Sequence, residues 1–281
     1  MRYFTVDAFA ASPFGGNPAG VVLLDNGASF PHTSTMIQVA AELRYSETAF
    51  VQQNSPEEFT VRYFTPAAEV ELCGHATIAS FSVLRDEGVI PIGTRCINHT
   101  LAGDLEVIVG KEIMMQMATP QIIGPIEDTS RICTIMGVAG MEITLPVQIV
   151  STGLPDIILP VVDLATLQAL APDMQALSAM SAELNVVGVH AFALSNDGFT
   201  AHVRNFAPLY DIPEESATGT ANAALTYYLY NNGLLQPGAK CAFMQGEAMK
   251  RPSVVSTELK PDCSVYVGGN SYILVKGEMF L

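Results

Sequence analysis

The sequence is poor in positive charge and has no long apolar run. Its 13 Lys and Arg residues stand against 28 Asp and Glu residues, which gives a formal net charge of −15. No cluster of Lys or Arg interrupts this acidic chain, so it lacks the electrostatic surface that nucleic acids and anionic membranes require. No apolar run approaches the roughly 18 residues of a membrane-spanning helix. We therefore expect neither a nucleic acid nor a membrane as a partner.

The cysteines are too few and too scattered to predict a disulfide framework. There are five, an odd number, and no two of them form a C-x-x-C pair. The chain also starts without the basic and then apolar segment of a secretory signal. These features predict a reduced, cytoplasmic protein.

Motifs for the common cofactors are absent as well. The chain has no G-x-G-x-x-G and no G-x-x-x-x-G-K-[ST] pattern, and its five histidines form no H-E-x-x-H motif. The sequence therefore predicts no cofactor and no metal. An acidic ligand would have to be held by a local positive potential.

The chain does contain an internal repeat. The pattern R-x-F-x-P occurs at Arg62 and again at Arg204, 142 positions later. A helix-start glycine occurs at Gly74 and again at Gly219, 145 positions later. Each of these glycines is followed 14 residues on by another, where a glycine would end the helix in a left-handed conformation. A duplicated unit of about half the chain explains these spacings better than chance does.

Hydrophobic patterning predicts the fold class. Two segments are small or apolar on nearly all sides, 76-ATIASFSVL-84 and 221-ANAALTYYL-229, as a helix enclosed by protein must be. Most of the remaining chain alternates like strands. We predict an α+β fold of two pseudo-symmetric domains, each a mostly antiparallel or mixed, β-barrel-like sheet wrapped around a central α-helix. The prolines and glycine of 119–130 predict a linker between a first domain at 1–118 and a second at 131–267.

The two repeated helix starts are candidate anion sites. A helix N-terminus exposes N–H groups and about half a positive charge, and glycine lets a ligand approach them closely. The halves differ at one informative position, because alignment on a shared Ala-Phe pair sets Glu47 against Val189. A carboxylate in one half only is a candidate general acid/base. We expect burial to raise its pKa toward the working range of such a group.

Seven short segments also follow one another over nearly the whole chain. They are 15-GGNPAGVV-22, 46-SETAF-50, 62-RYFTP-66, 73-CGHAT-77, 152-TGLP-155, 217-ATGTA-221 and 245-QGEAMKRPS-253. Together they resemble the phenazine-biosynthesis PhzF family, which has the diaminopimelate-epimerase-like fold. The resemblance implies that a C-terminal segment at 268–281 completes the first domain, and it implies a homodimer.

The resemblance further implies cofactor-independent isomerisation of a small carboxylate-bearing metabolite, with one glutamate moving a proton between carbons. By position in the motifs it assigns catalysis to Glu47, His75 and Glu215, and substrate binding to Ser46, Gly74, His75, Gly219 and Thr220. The family's usual residues at positions 215 and 220 are Asp and Ser. The longer acid and the added methyl group found here imply a reshaped pocket.

Two other functions stay open on the sequence. A two-base racemase or epimerase of this fold uses one cysteine before each helix start, and here Cys73 fills the first position but Thr218 the second. A hydroxyl without an adjacent base is too weak an acid for that role. The other alternative is a non-catalytic small-molecule binding protein. His75 is likewise open between a local structural contact and a role in ligand binding or proton relay with Glu47.

Overall fold

Strands outnumber helices throughout residues 1–280, the part of the chain that this computed structural model describes. The strands are β1 (Arg2–Ala8), β2 (Asn17–Leu23), β3 (Thr48–Gln53), β4 (Glu58–Phe64), β5 (Glu69–Val70), β6 (Thr94–Thr100), β7 (Gly103–Val109), β8 (Ile113–Gln116), β9 (Gln121–Pro125), β10 (Gln148–Ser151), β11 (Pro155–Pro160), β12 (Val189–Leu194), β13 (Ala201–Ala207), β14 (Ile212–Glu215), β15 (Lys240–Gln245), β16 (Ser253–Leu259), β17 (Val265–Gly269) and β18 (Ser271–Glu278). The helices are α1 (Thr33–Leu43), α2 (Gly74–Asp86), α3 (Thr129–Ile135), α4 (Leu164–Ala169), α5 (Met174–Leu184) and α6 (Gly219–Asn231), with one 3-10 turn at Pro208–Tyr210. The α+β class predicted from the sequence is confirmed. No helix within residues 1–280 is long and apolar enough to cross a membrane.

The chain divides into two units. The N-terminal unit comprises Met1–Gln116 together with the residues from Gly268 onward, and the C-terminal unit comprises Met117–Val267. Strand β18 returns to the N-terminal unit and pairs antiparallel with β1. The segment 119–130 is not a free linker, because β9 lies within it and pairs antiparallel with β10 of the C-terminal unit. This pairing satisfies the backbone of a stretch whose prolines and glycine had suggested an unpaired connection.

The two units repeat one succession of strand pairings. In the N-terminal unit β2 and β3 are parallel, β3 and β4 antiparallel, β4 and β5 antiparallel, and β4 and β6 parallel. In the C-terminal unit β11 and β12, β12 and β13, β13 and β14, and β13 and β15 follow the same order. The repeat seen in the sequence is therefore a repeat of structure.

Strand register shows that the Ala-Phe alignment is off by one residue. Arg62 lies opposite Phe50 on the neighbouring strand, whereas Arg204 lies opposite Ala191. When Arg62 and Arg204 are superposed, Phe50 corresponds to Ala191, whereas the Ala-Phe alignment set it against Phe192. Each residue of β3 therefore corresponds to the residue of β12 that lies one position before the one given by that alignment.

The counterpart of Glu47 is accordingly Gly188, and the sequence alignment with Val189 is wrong. The N–H of Gly20 donates to the carbonyl oxygen of Glu47 at 3.2 Å, and the N–H of Ile157 makes the equivalent bond to Gly188 at 2.9 Å. The contrast between the halves is thus sharper than expected, because a carboxylate in one unit corresponds to no side chain in the other.

Each unit encloses one central helix. In α2 every residue from His75 to Leu84 is buried, which only a helix surrounded by protein can show. Two of its buried hydroxyl groups bond within the helix, where the Thr77 hydroxyl donates to the carbonyl of Cys73 at 2.8 Å. Ser80 makes the same bond one turn later. These bonds remove the cost of burying hydroxyl groups without a partner.

The ends of both central helices follow the sequence prediction. Gly88 lies just beyond α2 with φ +71°, and Gly233 lies just beyond α6 with φ +76°. This left-handed conformation closes the last turn and is readily adopted only by glycine. The predicted helix stops are therefore confirmed.

Candidate active site

Glu47 is the last residue before β3. Helix α1 ends at Leu43, and Arg44 follows in the left-handed conformation that turns the chain toward the strand. The backbone of Glu47 is then held by the hydrogen bond from Gly20. Its Oε2 atom is fully covered, but the side chain as a whole remains 19% exposed. The carboxyl group is therefore fixed at the end of the sheet with part of its surface still accessible.

His75 is the second residue of α2 and lies against Glu47. Its Nε2 atom is 3.2 Å from Oε2 of Glu47 and 3.5 Å from Oγ of Ser46. Its Nδ1 atom is 3.4 Å from the sulfur of Cys73 and 3.4 Å from Nδ2 of Asn17. The contact with Glu47 has the distance of an ion pair but not the alignment of a hydrogen bond, so we treat it as electrostatic. The imidazole is thus enclosed by polar groups on both ring nitrogens.

The electrostatics of this cluster correct one expectation. Burial alone would raise the pKa of Glu47, but the close contact with His75 and its charge, together with the neighbouring Ser46 and Cys73, outweigh burial, and the pKa of Glu47 is lowered. Burial likewise would lower the pKa of His75, but its contacts with Cys73 and Glu47 raise it well above the usual range. Because Cys73 keeps its own proton, the negative charge that favours the imidazolium is that of Glu47. Both shifts favour a carboxylate on Glu47 beside an imidazolium on His75. The sequence prediction of a raised pKa was wrong because it counted burial without the adjacent cation.

Cys73 stays a thiol in this setting. It is the residue before the first turn of α2 and is buried. Burial raises its pKa, and the negative charge of Glu47 raises it further. Only the thiolate form of cysteine can act as a base, and this environment disfavours the thiolate of Cys73.

The helix start itself is open at Gly74. No side chain caps the first turn of α2. A Cβ atom built on Gly74 would meet only the terminal methyl group of Met115, at 3.8 Å. The backbone at this position can therefore be approached closely, as the sequence predicted for an anion site.

The equivalent corner of the C-terminal unit holds Glu215, Gly219 and Thr220. Glu215 ends β14, and its Oε2 atom accepts the hydroxyl proton of Thr218 at 2.7 Å. Thr218 has the place of Cys73 before the helix, and no side chain caps α6 either. The carbonyl of Thr220 accepts the hydroxyl of Thr152 at 2.9 Å. The residues that the sequence assigned to this half thus meet at one helix start.

Two residues of these corners were missed as site components. Asn17 is buried at the start of β2 beside His75. Gln245 accepts the N–H of Thr218 at 3.1 Å and donates to the carbonyl of Glu215 at 2.8 Å, so it fixes the loop between them. Both lie in segments that carried the family resemblance, and that was the signal available for them.

The structure also corrects the view that the hydroxyl of Thr218 has no base beside it. Glu215 is that neighbour. A carboxylate adjacent to a hydroxyl disfavours the alkoxide, however, because two negative charges would then share one site. Thr218 therefore still lacks the acidity that a second racemase base needs.

A metal ion could also fit the N-terminal cluster. One ligand atom each from Glu47, Cys73 and His75 lies within 4.8 Å of the others, and these are donor types that zinc accepts. The sequence spacing could not show this group, because Glu47 lies before β3 whereas Cys73 and His75 lie at the start of α2. The carboxylate and the imidazolium already balance each other's charge, and the prediction of no metal stays a prediction.

Comparison with known proteins places this geometry in a family. The family model described as phenazine biosynthesis-like protein, PhzC-PhzF, matches residues 6–277. The chain belongs to this family. It is 32% identical to an uncharacterised isomerase of Clostridium acetobutylicum, an alignment that covers 99% of this chain and 97% of the relative.

Other relatives of the PhzC-PhzF family agree. The chain is 27% identical to the trans-2,3-dihydro-3-hydroxyanthranilate isomerase of Pseudomonas chlororaphis, over 100% of this chain and 99% of that protein. The crystal structure of a PhzF-family protein of Bacillus anthracis matches with a TM-score of 0.89 at 24% identity, covering 100% and 99% of the two chains. The fold predicted from the resemblance is confirmed, and the chain is an isomerase of this family.

Proposed function

We propose that this isomerase needs no cofactor and moves a proton between two carbons of a small carboxylate-bearing metabolite. Glu47 takes the proton as a carboxylate, becomes a neutral acid, and gives the same proton back to a second carbon. The observation that carries the proposal is the 3.2 Å contact between Glu47 and His75. It keeps a partly covered carboxyl group ionised and hence able to accept a proton.

His75 supplies positive charge in this scheme. Before proton transfer the charges of Glu47 and His75 cancel, and after it the pair carries one net positive charge. The negative charge that develops on the substrate at the same moment is then stabilised by the imidazolium. One preorganised donor of this kind contributes roughly 10²–10³-fold to a rate.

The two helix starts are the proposed holders of anionic groups. Gly74 offers an uncapped and open backbone in the N-terminal unit. Gly219 and Thr220 offer the equivalent backbone in the C-terminal unit, with Glu215 beside them. Ser46 is exposed near the carboxyl group of Glu47 and can donate a hydroxyl to the substrate. Backbone N–H groups at helix starts suit a carboxylate in an otherwise acidic protein.

The substrate is proposed only as a class. The relative from Pseudomonas chlororaphis isomerises trans-2,3-dihydro-3-hydroxyanthranilate, which carries a carboxylate. This chain has Glu215 and Thr220 where the family usually has Asp and Ser, so both side chains are larger by one carbon. We therefore propose that the substrate is a carboxylate-bearing metabolite whose shape differs from that of the relative's substrate. Only the reaction class, isomerisation, is proposed to be shared with that relative.

Solvent deuterium tests this function while the substrate is still unidentified. Wild-type enzyme is incubated in D₂O with a panel of cyclic and amino-acid-like carboxylates, beside a heat-inactivated sample. We expect at least one compound to gain deuterium at carbon or to convert to a positional isomer, seen by mass spectrometry and proton NMR. A compound that binds tightly and shows neither exchange nor conversion would instead indicate a binding protein.

A further inference from the structure

Strand β11 of the C-terminal unit carries a buried carboxyl group. Asp156 is on β11 and is 1% exposed. On the neighbouring strands Asn205 lies opposite His190 on one side and opposite Glu215 on the other. Asn205 is a hydrogen-bonding neighbour of Asp156 and acts to lower its pKa.

Hydrogen bonding identifies His190 as a neutral group. Its Nε2 atom is 3.3 Å from Oδ1 of Asn222, whose amide nitrogen donates elsewhere, to the carbonyl of Thr218. Nε2 therefore carries the proton, and Nδ1 faces the amide nitrogen of Asn205 at 3.3 Å. Burial lowers the pKa of His190 to about 3, in agreement with this tautomer. His190 consequently offers no positive charge to the nearby acid.

Asp156 has neither a cation nor a full set of hydrogen bonds. Its Oδ1 atom is buried and has no hydrogen-bond partner among the described residues 1–280. The charged group whose field reaches it is Glu215, which is also negative. An ionised carboxylate in such a place is costly, because it is desolvated, repelled and only partly hydrogen-bonded. Burial, followed by the charge of Glu215, raises the pKa of Asp156 to about 7.

Glu215 has the opposite environment. It is only half-buried, and its Oε2 atom accepts a charge-favouring hydrogen bond from Thr218 at 2.7 Å. Of two neighbouring carboxyl groups, the one with better solvation and hydrogen bonding holds the charge, and the other holds the proton. The geometry therefore divides the two roles between Glu215 and Asp156.

We propose that Asp156 and Glu215 act as one carboxyl pair, with the proton on Asp156 and the negative charge on Glu215. Asp156 is then a positioning residue, which keeps a second negative charge away from the corner around Gly219 and Thr220. This role rests on the proposed function, in which that corner receives an anionic group. When Asp156 ionises, the second charge repels a carboxylate-bearing substrate and weakens its binding.

Titration of the free enzyme tests the pair without any substrate. Carbon-13 NMR of aspartate-labelled enzyme follows each carboxyl group with pH. We expect one resonance that titrates near pH 7 and disappears in Asp156→Asn. In Glu215→Gln the same titration should move down by about one pH unit or more, because the like charge is gone. Asp163→Asn, which removes an exposed aspartate of the same unit, should leave it unchanged.

Either of two results in this experiment would overturn the pair. One is an Asp156 resonance in the ordinary range near pH 4, and the other is a titration that does not move in Glu215→Gln. The second result can be obtained even if Asp156→Asn fails to fold, because selective labelling and Glu215→Gln suffice to compare the titrations.

The pH profile tests the positioning role separately. With a substrate from the deuterium screen, kcat/KM of the wild-type enzyme should fall above about pH 7 through a rise in KM. Asp156→Asn imitates the protonated acid, so it should keep kcat near the wild-type value at pH 6 and show a flat profile above pH 7. A basic limb that persists in Asp156→Asn would overturn this role. Failure of the screen would count against the proposed function, whereas the titration would still decide on the pair.

Discussion

The sulfur of Cys73 lies 3.4 Å from Nδ1 of His75, at the nitrogen that does not face Glu47. A cysteine in this place is what a two-base racemase uses. Here the thiol is buried with a raised pKa, and the equivalent residue of the C-terminal unit is Thr218. The contact therefore acts on the imidazole, and in the proposed function proton transfer to carbon belongs to Glu47.

Replacement of Cys73 separates the two mechanisms. Cys73→Ser keeps a small polar group beside His75, and we expect kcat to fall less than about tenfold, equivalent to about 1.4 kcal/mol in the barrier. Alkylation of the native enzyme is a poorer test, because the adduct would also displace His75. Loss of all turnover in a folded Cys73→Ser enzyme would support the racemase and contradict our assignment.

In the proposed function, His75 lowers the pKa of Glu47 and thereby sets the acid limb of the pH profile. His75→Gln removes the cation, so burial acts alone and the pKa of Glu47 rises. Since Glu47 must be ionised to accept a proton, the acid limb of kcat/KM should move to higher pH. The maximal rate should also fall roughly 10²–10³-fold as one charge-stabilising donor is lost. An acid limb that stays in place would show that His75 does not set the pKa of Glu47.

The sequence predicted the repeat, the enclosed helices and their glycine ends, because these depend on local patterning. It offered a relay between Glu47 and His75 only as one alternative, since Glu47 precedes β3 and His75 lies in α2, far apart along the chain. The direction of the pKa shift was therefore wrong. The counterpart of Glu47 was also wrong by one residue, because letter similarity at Ala-Phe does not report strand register. Asp156 escaped notice because a single acid within an apolar strand gives no pattern.

The repeated arginines offer a matched pair for a stability test. Arg62 pairs with Glu69 and Arg204 with Glu214, each through two hydrogen bonds of 2.7–2.8 Å. Arg204 also donates to three backbone carbonyls at the end of α4. A lysine cannot make all these bonds, so we expect Arg204→Lys to lower the free energy of unfolding by about 1–3 kcal/mol more than Arg62→Lys.

Urea denaturation of both arginine variants would measure this difference. Arg62 is also the more exposed of the two side chains, which strengthens the expected order. Equal loss in the two variants would mean that the carbonyls of α4 contribute nothing to stability through Arg204.

Metal removal tests the prediction that no ion takes part. Because the Glu47 and His75 charges balance each other, we expect turnover to survive dialysis against EDTA without change. The grouping of Glu47, Cys73 and His75 makes this control necessary, since their ligand atoms lie close enough to hold zinc. Activity that is lost with EDTA and restored by zinc would contradict the cofactor-independent scheme.

The most direct measurement for the central claim is turnover by Glu47→Gln. The amide preserves shape but cannot accept a proton from carbon, whereas Glu42→Gln changes an exposed acid on α1 and serves as the control. With folding confirmed by circular dichroism and ligand binding retained, we predict that kcat of Glu47→Gln falls at least about 10³-fold, within the range of about 10²–10⁴ for general acid–base catalysis. Glu42→Gln should turn over like the wild-type enzyme. Near-normal turnover by Glu47→Gln would contradict the account.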